Sequence, residues 1–473
     1  MNTITRKAWS LLSGISVMSL AVQPVLAQST GTNAPENIMP RPHVPEAPAT
    51  PPAQTPAPAP VRAPDAHDLG PVSGPVIQEI QLSEPVMPWS ASDAQGLLAM
   101  IEHIGKEGLL PADYQPAALK AAIAAGEGDA LDNLASKVFG WLIEDLRDGR
   151  TPMKDRVQWF VVDPDQDDMP TGQIMAQALA NHDIEGVIAR LAPTNPDYAA
   201  LKAELARTPM ANKSRRLLIM ANMDRWRWLR HELGDVYLLT NVPEFQLRLT
   251  VRNKIIRTYR TVVGKPGRTA TPQLAETVSA VVFNPTWTVP QSITKGEGLG
   301  QKVLANPAWA QANGYKATRG ADGTIWVVQQ PGPNNALGLM KIDMPNEHAI
   351  YLHDTPAKQY FNQDVRAFSH GCIRTERAVE LGMTMAILGA GMAPEEAAEI
   401  SRSRKYTKVA MTRTFPVYLT YFTIARDIDG TLQTFNDLYG RDKPVIASFQ
   451  QPRALKTNQR MSDEEVIQLD NPL

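Results

Sequence analysis

The chain has 473 residues, with 47 Lys plus Arg against 49 Asp plus Glu, a formal net charge of −2. That balance argues against a protein held to nucleic acid by bulk charge, which needs a basic stripe and a high pI. The length suggests about two or three domains of roughly 100–200 residues each. The lone cysteine, Cys372, excludes an intramolecular disulfide and any zinc site with two or more Cys ligands.

Arg6 and Lys7 precede an apolar stretch from Leu11 to Val22, and Val25-Leu26-Ala27 ends in the small-residue pattern a signal peptidase accepts. The apolar core is well short of the ~20 residues that span a bilayer. Residues 1–27 therefore read as a cleaved signal peptide, with an uncleaved signal anchor as the alternative and as the expected link to a membrane, if there is one. Export leaves Cys372 as an unpaired thiol in an oxidising compartment, where a thiol is a liability unless it is used or deeply buried.

Between Pro35 and Pro75 there are 13 prolines in 41 residues. Proline fixes φ and lacks an N–H, so residues 28–82 read as an extended linker, either a spacer or a disordered tail. Residues 83–233 then read as a helical domain. Leu131, Leu134, Val138, Trp141, Leu142 and Leu146 recur at helical spacing, with Gly149 as a stop. Val187, Ile188 and Leu191 mark a further helix, Tyr198, Leu201 and Leu205 another, and Leu217, Met220 and Trp228 a last one. The run Arg225-Trp226-Arg227-Trp228 reads as an amphipathic helix with arginines outside and tryptophans packed.

The period then changes to two. Phe245, Leu247, Leu249 and Val251 alternate with polar residues, Arg252-Asn253-Lys254 is a turn candidate, and Ile255 to Val263 is the return strand. Thr277 to Phe283, Ile325 to Gln329 and Ala349 to Leu352 read as more strands. A Gly/Pro-rich stretch at about 290–340 interrupts this β region, and Trp309, Tyr315 and Trp326 argue that it is ordered. Residues 448–473 are left as a tail, with Lys456-Thr457-Asn458-Gln459-Arg460 suggesting a surface or disordered end.

Neither Gly296-Glu297-Gly298-Leu299-Gly300 nor Val262-Val263-Gly264-Lys265 has the spacing of a nucleotide-binding loop. The informative run is Ser369-His370-Gly371-Cys372-Ile373-Arg374, downstream of Tyr351-Leu352-His353-Asp354. A lone Cys is by default a small buried hydrophobe. Here it is flanked by His and Arg, and positive neighbours with accessible backbone N–H groups lower a thiol pKa. Thiolate chemistry needs a base, for which His353 and His370 are the candidates. A metal site of His353, His370 and Cys372 is the competing arrangement, and two ligands in His-Gly-Cys are tightly spaced for it; no metal and no cofactor are expected.

Ser369 to Arg374, with His353 ahead of it across 15 intervening residues, resembles the signature of the L,D-transpeptidases with a YkuD-type catalytic domain. Asn284-Pro285-Thr286-Trp287, Asn335-Ala336-Leu337-Gly338 and Tyr351-Leu352-His353-Asp354-Thr355-Pro356 are similar to the YcbB-like branch. The resemblance implies a multidomain α+β protein: a helical scaffold domain (83–233), then a mainly β catalytic domain (234–447) with an inserted capping subdomain at about 290–340. The peptidoglycan-binding domain usual in that branch has no room between Tyr198 and Trp226.

The resemblance further implies a periplasmic cysteine acyltransferase. Cys372 attacks a carbonyl of a peptidoglycan stem peptide, and His353 holds the thiolate and later deprotonates the acceptor amine. Backbone N–H groups of Gly371 and Cys372, with His370, hold the oxyanion. Tyr351, Trp287 and Arg374 are candidate substrate contacts, and Ser369 fixes the loop. The partners are donor and acceptor stem peptides, with 3→3 or 1→3 cross-links as the product and carbapenems as acylating agents. L,D-carboxypeptidase or wall-hydrolase activity, and attachment of an outer-membrane protein to the wall, are the alternatives.

Overall fold

A computed structural model describes residues 81–464. The expected signal peptide and nearly all of the proline-rich linker lie outside the described residues. The helical region comprises α1 (Ala91–His103), α2 (Pro116–Ala125), α3 (Asp129–Arg147), α4 (Asp165–Asp168), α5 (Thr171–Ala180), α6 (Ile184–Leu191), α7 (Pro196–Arg207) and α8 (Lys213–Arg227). Helix α3 is its spine. Leu131, Val138, Leu142 and Leu146 are fully buried on one face, as the spacing predicts. After it, Gly149 adopts φ +85, where a Cβ would meet the Trp228 ring at 2.6 Å, so only glycine fits that turn.

The β region begins with the expected hairpin: β1 (Val236–Asn241), β2 (Gln246–Val251) and β3 (Lys254–Gly264). Arg252 and Asn253 both have positive φ, the backbone of a tight hairpin turn. Then come β4 (Leu274–Thr277), β5 (Ala280–Phe283) and β6 (Trp287–Thr288). The insertion follows as α9 (Gln291–Thr294), α10 (Leu299–Ala305), α11 (Pro307–Ala312), β7 (Tyr315–Arg319) and β8 (Ile325–Gln329). The chain returns through β9 (Met340–Asp343), β10 (Leu352–His353), β11 (Ala367–Ser369) and β12 (Ile373–Thr375). Helices α12 (Ala378–Ala390) and α13 (Pro394–Arg402), strands β13 (Thr407–Ala410), β14 (Pro416–Thr420), β15 (Ile424–Arg426) and β16 (Leu432–Thr434), and α14 (Asp442–Ser448) complete it.

Pairing runs β13-β5-β9-β10-β12-β3-β2-β1-β14-β4, with β11 beside β3. This is the helical region followed by a mainly β domain that the sequence implies. The insertion forms its own three-stranded sheet, β6-β8-β7, over a small core of Val289, Val303, Ala310 and Val327.

Three sequence expectations differ. Arg225 and Arg227, expected outside, are 2% and 0% exposed. Helix α8 sits at the junction of the helical region and the sheet, so it is buried on more than one face. Trp226 stacks on Phe422 at 4.4 Å and Trp228 packs edge-on against Trp159. The guanidinium groups tolerate burial because they are paired. Arg225 bonds Asp442 at 2.6 Å, and Arg227 donates to the Tyr198 hydroxyl at 2.6 Å.

Thr277 to Phe283 is two strands, not one. It breaks after Thr277, so that β4 pairs β14 while β5 pairs β9 and β13 at the far end of the sheet. Residues 449–464 are no loose end, and the rest of the expected tail lies outside the described residues. Arg453 reaches Glu144 at 2.9 Å and Asp145 at 2.8 Å with its side chain 2% exposed, and Gln81 bridges to Thr457.

Candidate active site

The site stands on three adjacent strands. β10 runs parallel to β12, with His353 opposite Arg374 and Leu352 opposite Ile373, and the Ile373 N–H donates to the Tyr351 carbonyl at 3.0 Å. Side chains alternate along strands. Leu352 and Ile373 therefore enter the core, both fully buried, while Tyr351, His353, Cys372 and Arg374 share the opposite face.

The expected strand Ala349–Leu352 shortens to Leu352–His353, because Ala349 has φ +52. The side chain of Asn346 builds this turn. Its Oδ1 accepts from His348 and Ile350 N–H at 3.1 Å, and its Nδ2 donates to the Met344 and Ile350 carbonyls. The turn aims the Ala349 carbonyl at the cysteine, whose Sγ donates to it at 3.6 Å.

Nδ1 of His353 lies 2.5 Å from the Asp354 carbonyl. A carbonyl only accepts, so Nδ1 carries the proton and Nε2 is left as the free base of the neutral ring. Asp354 is itself held by the Leu339 N–H at 2.9 Å and by Lys358. Burial, then the Arg374 charge, pushes His353 down to about 3, and burial pushes the Cys372 thiol up to about 11. At rest the two groups on this sheet face are thus a thiol and a neutral imidazole. This differs from the expected thiolate: both groups are nearly closed off from water, and that penalty on charge exceeds the help from Lys341 and Arg374.

The loop before the nucleophile is tied from within. Ser369 Oγ donates to the Cys372 carbonyl at 2.6 Å and accepts from the Gly371 N–H at 3.1 Å. Gly371 sits at φ +118, a conformation that favours glycine, and its carbonyl accepts from Thr271 Oγ1 at 2.8 Å. The Gly371 N–H, expected to face an oxyanion, is therefore engaged by Ser369, whereas the Cys372 N–H has no acceptor among the described residues.

The remaining candidates divide. Tyr351 is buried against Cys372, and its ring lies 5.5 Å from that of His353. Trp287 opens the insertion and lines a cavity of about 210 Å³ together with Tyr351. Arg374 packs over the Tyr360 ring at 5.8 Å, and its guanidinium has no carboxylate partner among the described residues. His370 Nε2 meets Glu297 of the insertion at 3.3 Å, with the side chain 40% exposed.

Sequence reasoning missed Lys341, Asp343, Thr271, Asn346 and Tyr439, whose hydroxyl holds the Gly264 carbonyl at 2.7 Å behind the loop. The alternation Met340-Lys341-Ile342-Asp343 carried a signal for the first two. Thr271 and Tyr439 reach the loop only through long-range packing.

Residues 235–382 match the family described as YkuD, L,D-transpeptidase catalytic domain, and residues 87–205 match the one described as a scaffold domain. A segment similar to the scaffold domain thus precedes a segment similar to the YkuD-type L,D-transpeptidase catalytic domain. A Haemophilus influenzae protein named "Putative L,D-transpeptidase" is 29% identical over 223 residues, which is 44% of this chain and 45% of that relative. The match therefore spans less than half of the relative's length. Solved structures with local similarity include an L,D-transpeptidase from Mycobacterium smegmatis (15% identity, 39% of this chain and 58% of that one, TM-score 0.21). L,D-transpeptidase 3 from Mycobacterium tuberculosis is another (11% identity, 39% and 61%, TM-score 0.20).

Proposed function

We propose that this protein is a periplasmic peptidoglycan L,D-transpeptidase that works through a Cys372 thioester. The observation that carries the reading is the shared sheet face of Cys372 and His353, with the His353 tautomer fixed by the Asp354 carbonyl. As a donor stem enters, Nε2 of His353 takes the thiol proton while Sγ attacks the amide carbonyl. The Cys372 N–H receives the oxyanion. The C–N bond breaks, His353 returns the proton to the leaving amine, and a thioester remains. The side-chain amine of a second stem then attacks the thioester, gives its proton to His353, and regenerates the thiol.

Unpaired and half-buried beside Cys372, Arg374 is suited to a substrate carboxylate. Trp287 and Tyr351 form walls, and Ser369 keeps the loop in shape rather than reacting. Helix α7 leads to α8 and β1 through short connections. The test is incubation of the mature protein with isolated muropeptides beside a Cys372→Ala variant, read by mass spectrometry. Cysteine-dependent dimers are expected. Release of D-Ala marks a 3→3 link, and release of the donor stem beyond position 1 marks a 1→3 link. Trimmed monomers without dimers would instead make the protein a hydrolase.

A further inference from the structure

Beside the cysteine, the same sheet face carries two lysines that the proposed chemistry leaves unused. Register places Lys341, His353 and Arg374 in one row across β9, β10 and β12. Lys408 on β13 joins the row through Val282 on β5. Asp343, two residues along β9 from Lys341, bridges both lysines, at 3.0 Å to Lys341 Nζ and 3.1 Å to Lys408 Nζ. Two ammonium groups on one carboxylate leave a net charge of +1. The Lys341 ammonium also lies 4.3 Å from the centroid of the Tyr351 ring, which packs against Cys372 as well.

Lys341, Asp343 and Lys408 line the cavity of about 210 Å³ that Trp287 and Tyr351 wall off. Side chains of Lys341 and Asp343 are 13% exposed, whereas Lys408 is 52% exposed. The Lys341 charge, mostly shielded from bulk water, acts more strongly on an incoming anion than surface charge does. One monoanion neutralises the cluster, while a phosphate dianion would overshoot it and face Asp343. The aromatic walls suit the aliphatic atoms next to a peptide carboxylate.

We infer that this cavity is a carboxylate subsite, in which Lys341 and Lys408 grip a free carboxylate of the acyl-donor peptide while Cys372 addresses a neighbouring carbonyl. The inference rests on the transpeptidase reading and names what that site selects. The carboxylate can come from the side branch at the second stem residue or from the peptide's C-terminus.

The test uses three matched stem peptides: both carboxylates free, only the side-branch one amidated, and only the C-terminal one amidated. Binding to full-length Cys372→Ala protein is measured by calorimetry, with and without Lys408→Gln, and wild-type turnover is followed in parallel. One amidation is expected to weaken binding by roughly tenfold or more, the scale of a lost charge-assisted contact. That amidation identifies the carboxylate, and Lys408→Gln brings the carboxylate-to-amide affinity ratio toward one. Equal affinity for all three peptides, an unchanged ratio in Lys408→Gln, or no binding at all overturns the subsite. A binding preference without any wild-type turnover keeps the subsite and sinks the transpeptidase reading. Cross-linking without discrimination does the reverse.

Discussion

At the scale of single residues, the site is ruled by desolvation. The flanking His and Arg in the sequence pointed to an activated thiolate, because neighbours in sequence are visible there and burial is not. In the fold Cys372 is 7% exposed and its proton rests on the Ala349 carbonyl. A thiol held up at about 11 and an imidazole held down at about 3 leave both groups uncharged through the neutral range. In the proposed mechanism the nucleophile is then made only as substrate displaces water and the proton moves to His353. Alkylation by iodoacetamide is therefore expected to rise about tenfold per pH unit between pH 7 and 10, in step with the thiolate fraction. A plateau of fast alkylation from pH 5 upward would mean a preformed thiolate–imidazolium pair and contradict this account.

Elements decide what stands around the cysteine. The hairpin β2–β3 and the spine helix α3 were legible, because each has one clear period and one buried face. Helix α8 was misread because a junction helix has several buried faces, and its arginines enter the interior with their acids. The Asn346 turn was invisible to a strand pattern, since Ala349 carries no sign of its positive φ. The insertion reaches the catalytic loop through Glu297 and His370, 3.3 Å apart and both partly exposed. On the proposed mechanism, this contact would keep the insertion over the site and water away from the thioester. A Glu297→Ala variant is expected to raise the ratio of hydrolysed to cross-linked product in muropeptide assays. An unchanged ratio would free the insertion of that role.

Across the whole molecule, charge is buried where the scaffold, the catalytic sheet and the C-terminal segment meet. Arg150 ties Asp113 of the scaffold to the Ser448 carbonyl, and Arg453 ties the last segment to α3. Sequence gave no hint of this, since the partners lie some 300 positions apart. Near this network burial pushes the Glu84 carboxyl up to about 8, with the neighbouring Glu144 charge adding to it, and burial does the same to Asp163. A carboxyl raised in the folded state binds its proton more tightly there than in the unfolded chain. Its stabilisation is full below the unfolded value near 4.5 and is lost as pH rises through about 8. His353 works oppositely, its contribution being lost as pH falls from 6.5 toward about 3. The melting temperature is therefore expected to fall between pH 6.5 and 8.5, and Glu84→Gln, neutral throughout, should flatten that slope. A Tm that rises over this range, or an equal slope in the variant, would contradict the linkage.

The central claim is that the reaction passes through a covalent bond to Cys372. Its most direct test is intact-protein and peptide-mapping mass spectrometry after brief exposure to a stem-peptide donor or a carbapenem, with acid quench. The account predicts one acyl adduct, mapped to the peptide containing Cys372, absent in Cys372→Ala and discharged by an amine acceptor. An adduct elsewhere, or cross-linking that survives in Cys372→Ala, would contradict it.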